Sequence, residues 1–225
     1  MATTIQQIAD EAWVTLGDTN GANGVRWKSD EIIAGVNEGQ REIVVLRPGA
    51  KPSTQQLTPV ANTRQTLAGC GVTNGIQVLR VLRNWNSAGS TVGRAITRMN
   101  MSQLDNERPA WHSDSDTEAI HYDLDPSDPQ AFYLWPKPAG KVEVVFSSVP
   151  AALTSLSDNI TLGDEYRNAL RYYLLFYTLT KRVQGSQAAR SDAAAWYSLF
   201  LQSLGLSNKA ATDTLAQVAA KEASA

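Results

Sequence analysis

Two short runs of alternating apolar and polar residues in the middle of the chain constrain its fold most strongly. In the first run, residues 119–124, the side chains of Ile120, Tyr122 and Leu124 share one face of an extended chain, and residues 141–146 repeat the pattern. A period of two is typical of half-buried antiparallel strands. Segments rich in proline, aspartate and glycine separate the runs and supply turns. This region therefore predicts a β meander with one solvated face.

Helical periodicity flanks the meander on both sides. Residues 4–16 carry apolar side chains at helical spacing, Thr4 and Gln7 form a capping box, and Gly17 is placed to end the helix. The same period predicts three further helices, at residues 29–47, 164–183 and 187–204. The predicted strands lie between them, at residues 54–60, 76–84, 92–98, 118–124, 131–136 and 141–147.

The short connections between neighbouring helices favour antiparallel packing. We therefore expect an α+β fold, in which an antiparallel four-helix bundle from the two chain ends carries an inserted antiparallel β domain. The expected parts are helical residues 1–49, the β domain at 50–150, helical residues 151–205 and a C-terminal tail at 206–225. The residues expected in the bundle core include Ile32, Val36, Tyr173, Tyr177, Trp196 and Phe200.

Composition excludes several classes of protein. The chain has 225 residues, is 43% hydrophobic and has a formal net charge of −2, which suits a globular protein large enough to bury a core. It contains no apolar run long enough to cross a bilayer, so no membrane partner is expected. Cys70 is the only cysteine, which excludes a disulfide framework and a cysteine-based metal site.

No catalytic or metal-binding constellation stands out in the sequence. His112 and His121 lie nine residues apart among several aspartates, without the spacing of a familiar metal site. A calcium loop that began at Asp114 or Asp123 would lack glycine at its sixth position and glutamate at its twelfth. Turn formation explains these aspartates better. We therefore expect no cofactor, no metal and no enzymatic activity.

Charge is distributed unevenly along the middle of the chain. Residues 43–104 contain seven basic residues and no acid, whereas residues 105–128 contain eight acids and one basic residue, Arg108. Cross-strand pairing inside one sheet would explain this pattern, with each pair contributing about 0.2–1 kcal/mol. A head-to-tail contact, in which the basic part of one copy meets the acidic part of the next, is the second interpretation. Arginines that line a DNA passage are the third.

The residues that carry these interpretations can be named. The basic candidates are Arg80, Arg83, Arg94 and Arg98, and the acidic candidates are Asp114, Asp116, Asp123 and Asp125. Aromatic residues offer a further surface, because Phe132 and Leu134 point to one face of a strand while Tyr133 and Trp135 point to the other. One face can enter the core, and the other then packs within the chain or against another subunit.

Several motifs, taken in their order and spacing, resemble the adaptor (head-to-tail connector) proteins of tailed bacteriophages. The likeness extends from Trp27 to about Gly205, and its motifs are residues 37–44, Leu46-Arg47-Pro48, Arg83-Asn84, residues 93–150 and residues 164–170. The resemblance implies a structural virion protein that is assembled in the host cytoplasm and lies at the junction of capsid and tail. It implies a ring of twelve copies that contacts the portal protein, a tail or nozzle protein, and the viral DNA passing through its lumen.

A role in portal docking is also expected for the C-terminal tail, although the resemblance ends at about Gly205. Leu215, Val218 and Ala219 fall at i, i+3 and i+4, which makes one narrow helical stripe expected to dock on a portal subunit. Two alternatives remain open at this point. One is a nucleic-acid-binding module that uses the basic candidates, and the other is a phage-encoded hydrolase that uses the acidic loop at residues 112–128.

Overall fold

The structure is a computed structural model, and it describes residues 3–18, 21, 27–181 and 187–206. The helices of these residues are α1 (Ile5–Leu16), α2 (Ser29–Leu46), α3 (Met101–Glu107), α4 (Arg167–Lys181) and α5 (Gln187–Ser203). Their strands are β1 (Pro52–Leu57), β2 (Arg64–Thr66), β3 (Gly75–Trp85), β4 (Val92–Ala95), β5 (Thr97–Arg98), β6 (Ser115–Asp116), β7 (His121–Leu124), β8 (Ala131–Trp135), β9 (Lys137–Pro138) and β10 (Lys141–Ser148).

The chain divides into two compact units. One comprises the described residues of Met1–Ile43 and Pro150–Ala225, and we refer to it as the helical unit. The other, Val44–Val149, contains every strand named above and is the β-rich unit.

Local sequence signals fix the first helix of the helical unit. The backbone N–H of Gln7 donates to the Thr4 hydroxyl (3.3 Å), and the Gln7 side chain accepts from the Thr4 N–H (3.1 Å), which confirms the predicted capping box. Gly17 ends the helix in the left-handed region at φ 70°, as predicted. Nearby, the Arg167 and Arg171 guanidinium groups both bind the Glu11 carboxylate, and thereby link α4 to α1.

Helix α2 approaches α4 closely at two glycines. A Cβ atom at Gly35 would lie 2.7 Å from Tyr177 Cδ1, and one at Gly39 would lie 2.9 Å from Tyr173 Cδ1. Any larger residue would therefore displace an aromatic ring. The glycine spacing of four residues places both contacts on one face of the helix.

Three sheets form the β-rich unit. The first sheet has the order β1-β10-β3-β4, the second has the order β2-β8-β7-β5, and a small sheet pairs β6 with β9. Both larger sheets contribute to one apolar core, whose buried residues are Leu57, Leu67, Val72, Val78, Val81, Ile96, Ala119, Tyr122, Phe132, Leu134, Val142, Val144 and Phe146. The buried amide of Asn84 adds a polar link, because it donates to the Ala119 carbonyl (2.8 Å) and accepts from the Ala119 N–H (2.9 Å).

The predicted four-helix bundle with an inserted antiparallel β domain is wrong. The described residues form five helices and three sheets, with a β-rich core. A short helix, α3, lies among the strands, where no helix was predicted. In addition, β5 pairs with β7 and β6 with β9 in parallel, so the β region is not purely antiparallel. Strands β5, β6 and β9 have two residues each, which is too short to show a sequence period.

Candidate functional site

The candidate site is the charged surface of the β-rich unit, where the predicted basic and acidic residues lie. On β3, Arg80 is opposite Val145 of β10, and Arg83 is opposite Glu143. The Arg83 guanidinium lies 3.2 Å from the Glu143 carboxylate. Arg80 is exposed and forms no ion pair within the part of the chain that the structure describes. Strand β3 therefore presents one neutralised and one uncompensated arginine.

The other two predicted arginines lie on β4 and β5. Arg98 is ion-paired with Asp123 at 3.2 Å. Arg94 is exposed, and its backbone N–H donates to the Glu118 carboxylate at 3.3 Å. Its guanidinium group has no ion-pair partner among the described residues. Two of the four predicted arginines are thus neutralised within the chain, and two are not.

Asp114 is held by two donors. It lies 2.7 Å from the Arg108 guanidinium and accepts a hydrogen bond from the Trp135 indole at 2.8 Å. The indole hydrogen bond, reinforced by Arg108, lowers the pKa of the Asp114 carboxyl below its ordinary value, against the opposing effect of burial. Asp114 is therefore a stable anion that fixes the position of Trp135.

Asp125 is held in a similar way at the turn that follows β7. It accepts from the Ser127 N–H (2.9 Å) and lies 2.9 Å from the Arg64 guanidinium, which also binds Asp128 at 2.9 Å. The hydrogen bond from Ser127, followed by that from Arg64, lowers the pKa of Asp125. Asp116 differs, because it is exposed and, among the described residues, its carboxylate accepts only from the adjacent Thr117.

These contacts show that charge pairing occurs within the β-rich unit. Three of the four predicted acids, Asp114, Asp123 and Asp125, are ion-paired inside the chain. Whether the remaining charges contact another subunit or DNA stays a prediction. The sequence could not identify the pairs, because Arg64 meets carboxylates 61 and 64 residues further along the chain.

The second aromatic face of β8 is covered from within the chain. A small apolar cluster consists of the buried residues Met101, Leu104 and Trp111, against which Met99, Tyr133 and Trp135 pack. The Trp111 indole donates to Asp105 at 2.8 Å, and the His112 ring stacks on Trp111 at 3.7 Å. Sequence reasoning missed both α3 and the role of Asp105, since a seven-residue helix shows too few turns for a clear period.

In the helical unit, the predicted core residues differ in burial. Ile32, Val36 and Phe200 are fully buried. Phe200 meets Tyr173 edge-on at 5.2 Å between ring centroids. Trp196 is only half-buried and stacks on Tyr172 at 6.0 Å. Tyr177 is also half-buried, against Gly35 of α2.

The residues predicted to dock on the portal, Leu215, Val218 and Ala219, lie outside the described residues. Among residues 3–18, 21, 27–181 and 187–206, no three His, Cys, Asp or Glu side chains are grouped so that they would hold a metal ion. No helix within these same ranges is both long and apolar enough to span a membrane.

Comparison with known proteins identifies the family of the chain. The sequence model of the SU10 adaptor protein family matches residues 3–221, which include both compact units. The chain belongs to this family. The SU10 adaptors are phage head–tail adaptors, so this adaptor is a bacteriophage structural protein and a component of the virion. The resemblance that the sequence motifs indicated is thus confirmed. Comparison with curated protein sequences gives no match.

Proposed function

We propose that this adaptor forms a ring of twelve copies, which joins the portal vertex of the capsid to a tail or nozzle protein and surrounds part of the DNA passage. The observation that carries the proposal is the family match over residues 3–221. A protein with this role acts through its surface, and the charged surface of the β-rich unit supplies contacts of both signs.

The charges left after pairing within the chain support a head-to-tail ring. Among the described residues, Arg80 and Arg94 have no ion pair on the basic side, and Asp105, Glu107, Asp116 and Glu118 have none on the acidic side. A rotation that relates neighbouring copies would bring one group against the other, and contacts of this kind close into rings. The paired residues would then serve mainly to hold the β-rich unit together.

A DNA passage would use the same two arginines. Contacts of Arg80 and Arg94 with phosphate oxygens are independent of base sequence and weaken with salt, which suits a conduit through which DNA slides. Arg83 and Arg98 would contribute less, because Glu143 and Asp123 already neutralise them.

Attachment to the portal is assigned to the C-terminal tail, residues 206–225. Leu215, Val218 and Ala219 would form a narrow apolar stripe against a portal subunit. Deletion of residues 207–225 should leave the melting temperature nearly unchanged and abolish or sharply weaken portal binding. A truncated chain that still assembles normally on portals would remove the tail from the proposal.

The hydrolase alternative is disfavoured by the electrostatics of the acidic loop. A general acid needs a pKa raised towards neutrality, whereas the pKa values of Asp114 and Asp125 are lowered. The nucleic-acid-binding alternative is disfavoured by a net charge of −2, because a dedicated binding module is usually basic.

The decisive experiment is native mass measurement of the full chain, alone and mixed with its portal ring. We expect a monomer alone and twelve copies on the portal. Arg80→Glu should weaken assembly of the ring, and Asp116→Arg introduced into the same chain should restore part of it if the two side chains meet across the interface. A portal ring that gains no mass on mixing would refute the proposal.

A further inference from the structure

The open edges of the sheets differ in how they are protected. An exposed edge presents unpaired N–H and C=O groups that can pair with another chain, so folded proteins shorten, charge or cover their edge strands. The second sheet follows this rule. Its edge strands β2 and β5 have three and two residues, and β2 carries Arg64. The small sheet has strands of two residues each.

One edge of the first sheet is covered as well. This edge is β4, and the Glu118 carboxylate accepts a hydrogen bond from the Arg94 N–H at 3.3 Å. A Glu118 oxygen also occupies the space beside Gly93, where a side chain would otherwise lie. An additional strand would have to displace this carboxylate before it could pair with β4.

The other edge of the first sheet, β1, is neither short nor charged, and the turn between β3 and β4 approaches it only at the Gln56 side chain, beside Gly89. Strand β1 has six residues and contains no charged side chain. Pro52, Thr54, Gln55 and Gln56 are exposed. Its register against β10 runs without a bulge, whereas the pairing of β10 with β3 shifts at three places. Strand β1 is therefore a long, regular and uncharged edge.

The phase of the hydrogen bonds shows which backbone groups point outwards. The Ser148 N–H donates to the Lys51 carbonyl at 3.0 Å. Because bonded residues alternate along an antiparallel pair, residues 53, 55 and 57 bond to β10, and Thr54 and Gln56 direct their N–H and C=O groups away from the sheet. Pro52 occupies an outward position, where its missing N–H costs nothing. No described residue bonds to the outward groups of Thr54 and Gln56.

We propose that the outer edge of β1 binds an extended, uncharged segment of another virion protein, which adds to the first sheet as a further strand. The inference rests on the proposed function. Addition to an edge is recognised mainly through the main chain, and a charge on the added strand would find no opposite charge on β1.

The structure argues against a second copy of the adaptor as the occupant. Within the described residues, β1 is the only long unprotected edge, so a second copy that paired through these residues would have to offer its own β1. Pairing two identical strands creates a two-fold axis and a closed dimer, and a head-to-tail ring has no such axis. An adaptor contacts other virion components, and one of these is therefore the partner.

Residue-resolved hydrogen exchange tests the inference on the full chain, free and within complete virions. In the free chain, the amides of Thr54 and Gln56 should exchange freely. In virions they should slow by at least about tenfold, because exchange then requires the new strand pair to open. The amides of Gln55 and Leu57, which bond to β10, should be slow in both samples and serve as the internal control.

A pair of variants separates main-chain from side-chain recognition. Thr54→Pro removes one outward N–H and leaves the bonds to β10 intact, whereas Thr54→Val keeps the N–H and removes the hydroxyl. Thr54→Pro should have an unchanged melting temperature. It should fail in at least one of two assembly assays, which are the joining of purified portal-bearing heads to purified tails and the binding of the adaptor to portals. Thr54→Val should behave like the unchanged protein.

Two outcomes would overturn the inference. One is fast exchange of Thr54 and Gln56 in virions, and the other is slow exchange in a free chain that has the mass of a dimer. If Thr54→Pro does not fold, the hydrogen-exchange measurement on the unaltered chain still shows whether another strand pairs with β1. The ring proposal is tested separately, because its failure would appear as a portal ring that gains no mass on mixing. That result would not change the hydrogen-exchange measurement on virions.

Discussion

In the helical unit, α2 meets α4 at Gly35 and Gly39, where the absence of a side chain lets two aromatic rings lie against the helix backbone. In the β-rich unit, the comparable role of joining separate segments belongs to polar groups. The Asn84 amide binds Ala119 through two buried hydrogen bonds, and Arg64 joins two carboxylates.

This difference shows that one chain uses two means of specifying its structure. In the helical unit, close packing adds to polar links, because a single added methyl group at α2 would collide with α4. The polar links there are the two hydrogen bonds between the Asn37 amide and Leu153, and the binding of Glu11 by Arg167 and Arg171. In the β-rich unit, complementary hydrogen-bond donors, acceptors and charges determine which segments pair, because several strands are too short to be specified by packing alone. The following five predictions test this contrast, from the largest expected effect to the smallest.

The largest effect is expected where the units do not differ, in their apolar interiors. Phe146 and Phe200 are both completely buried, so Phe146→Ala and Phe200→Ala should each lower the free energy of unfolding by about 3–5 kcal/mol. Denaturant titration measures the loss, and hydrogen exchange shows which unit is affected. Phe176→Ala is the control, because Phe176 is only half-buried. An equal loss in the control would contradict the assignment of these cores.

The polar link of the β-rich unit should be costly to remove. Asn84→Leu keeps a similar side-chain volume but leaves the Ala119 N–H and C=O groups without partners. Each buried group left unsatisfied costs about 1–3 kcal/mol, which denaturant titration detects. Asn84→Asp is a second test, because at neutral pH it turns a buried oxygen towards the Arg94 and Ala119 carbonyl oxygens that the amide nitrogen had donated to, so it should destabilise at least as strongly. A stable Asn84→Leu variant would mean that packing, rather than hydrogen bonding, joins these segments.

The close approach in the helical unit should be sensitive to one methyl group. Gly35→Ala places a Cβ atom 2.7 Å from Tyr177 and 2.8 Å from Leu174. Overpacking of this kind costs about 1–3 kcal/mol, more than the gain in helix propensity from alanine. Gly49→Ala is the matched control, because no atom lies within 4 Å of the added methyl group. If both variants have the same melting temperature, α2 and α4 can separate without cost.

The smallest effects concern pH. Burial, followed by the charge of Glu38, raises the pKa of Tyr173 from 10.0 to about 12. Since the folded state disfavours ionisation of the Tyr173 hydroxyl, the helical unit should lose stability as pH rises from 10.0 towards 12. Ultraviolet absorbance of tyrosinate measures the titration, and Tyr173→Phe should remove its latest step. A tyrosine titration completed near pH 10.0 would contradict the burial of this ring.

The β-rich unit should respond at the acidic end instead. The lowered pKa values of Asp114 and Asp125 mean that their contribution is present above the ordinary value of 3.8 and is lost as pH falls below it. Asp114→Asn should reduce the slope of stability against pH in that range, as measured by thermal unfolding at several pH values. An unchanged slope would show that Asp114 is no better stabilised in the folded chain than in the unfolded one.

The sequence alone predicted the local elements well. The capping box at Thr4 and Gln7 and the left-handed Gly17 were confirmed. The alternating run at residues 141–146 lies within β10, where Val142, Val144 and Phe146 are buried as the period of two required. Such signals are readable because capping and side-chain alternation depend on residues a few positions apart. The adaptor family could be inferred for a related reason, since several local motifs occur in a characteristic order.

Only the tertiary structure decided which segments pair. The sequence did not show α3, the parallel pairs β5–β7 and β6–β9, or the arginine and aspartate partners. It also could not show that β1 lies at an edge, because its residues are compatible with any position in a sheet. Ion pairs and the hydrogen bonds between strands join residues far apart in the chain. The local periodicity of a sequence does not identify such distant partners. Local geometry is therefore encoded within a few residues, whereas sheet order and charge pairing depend on the whole folded unit.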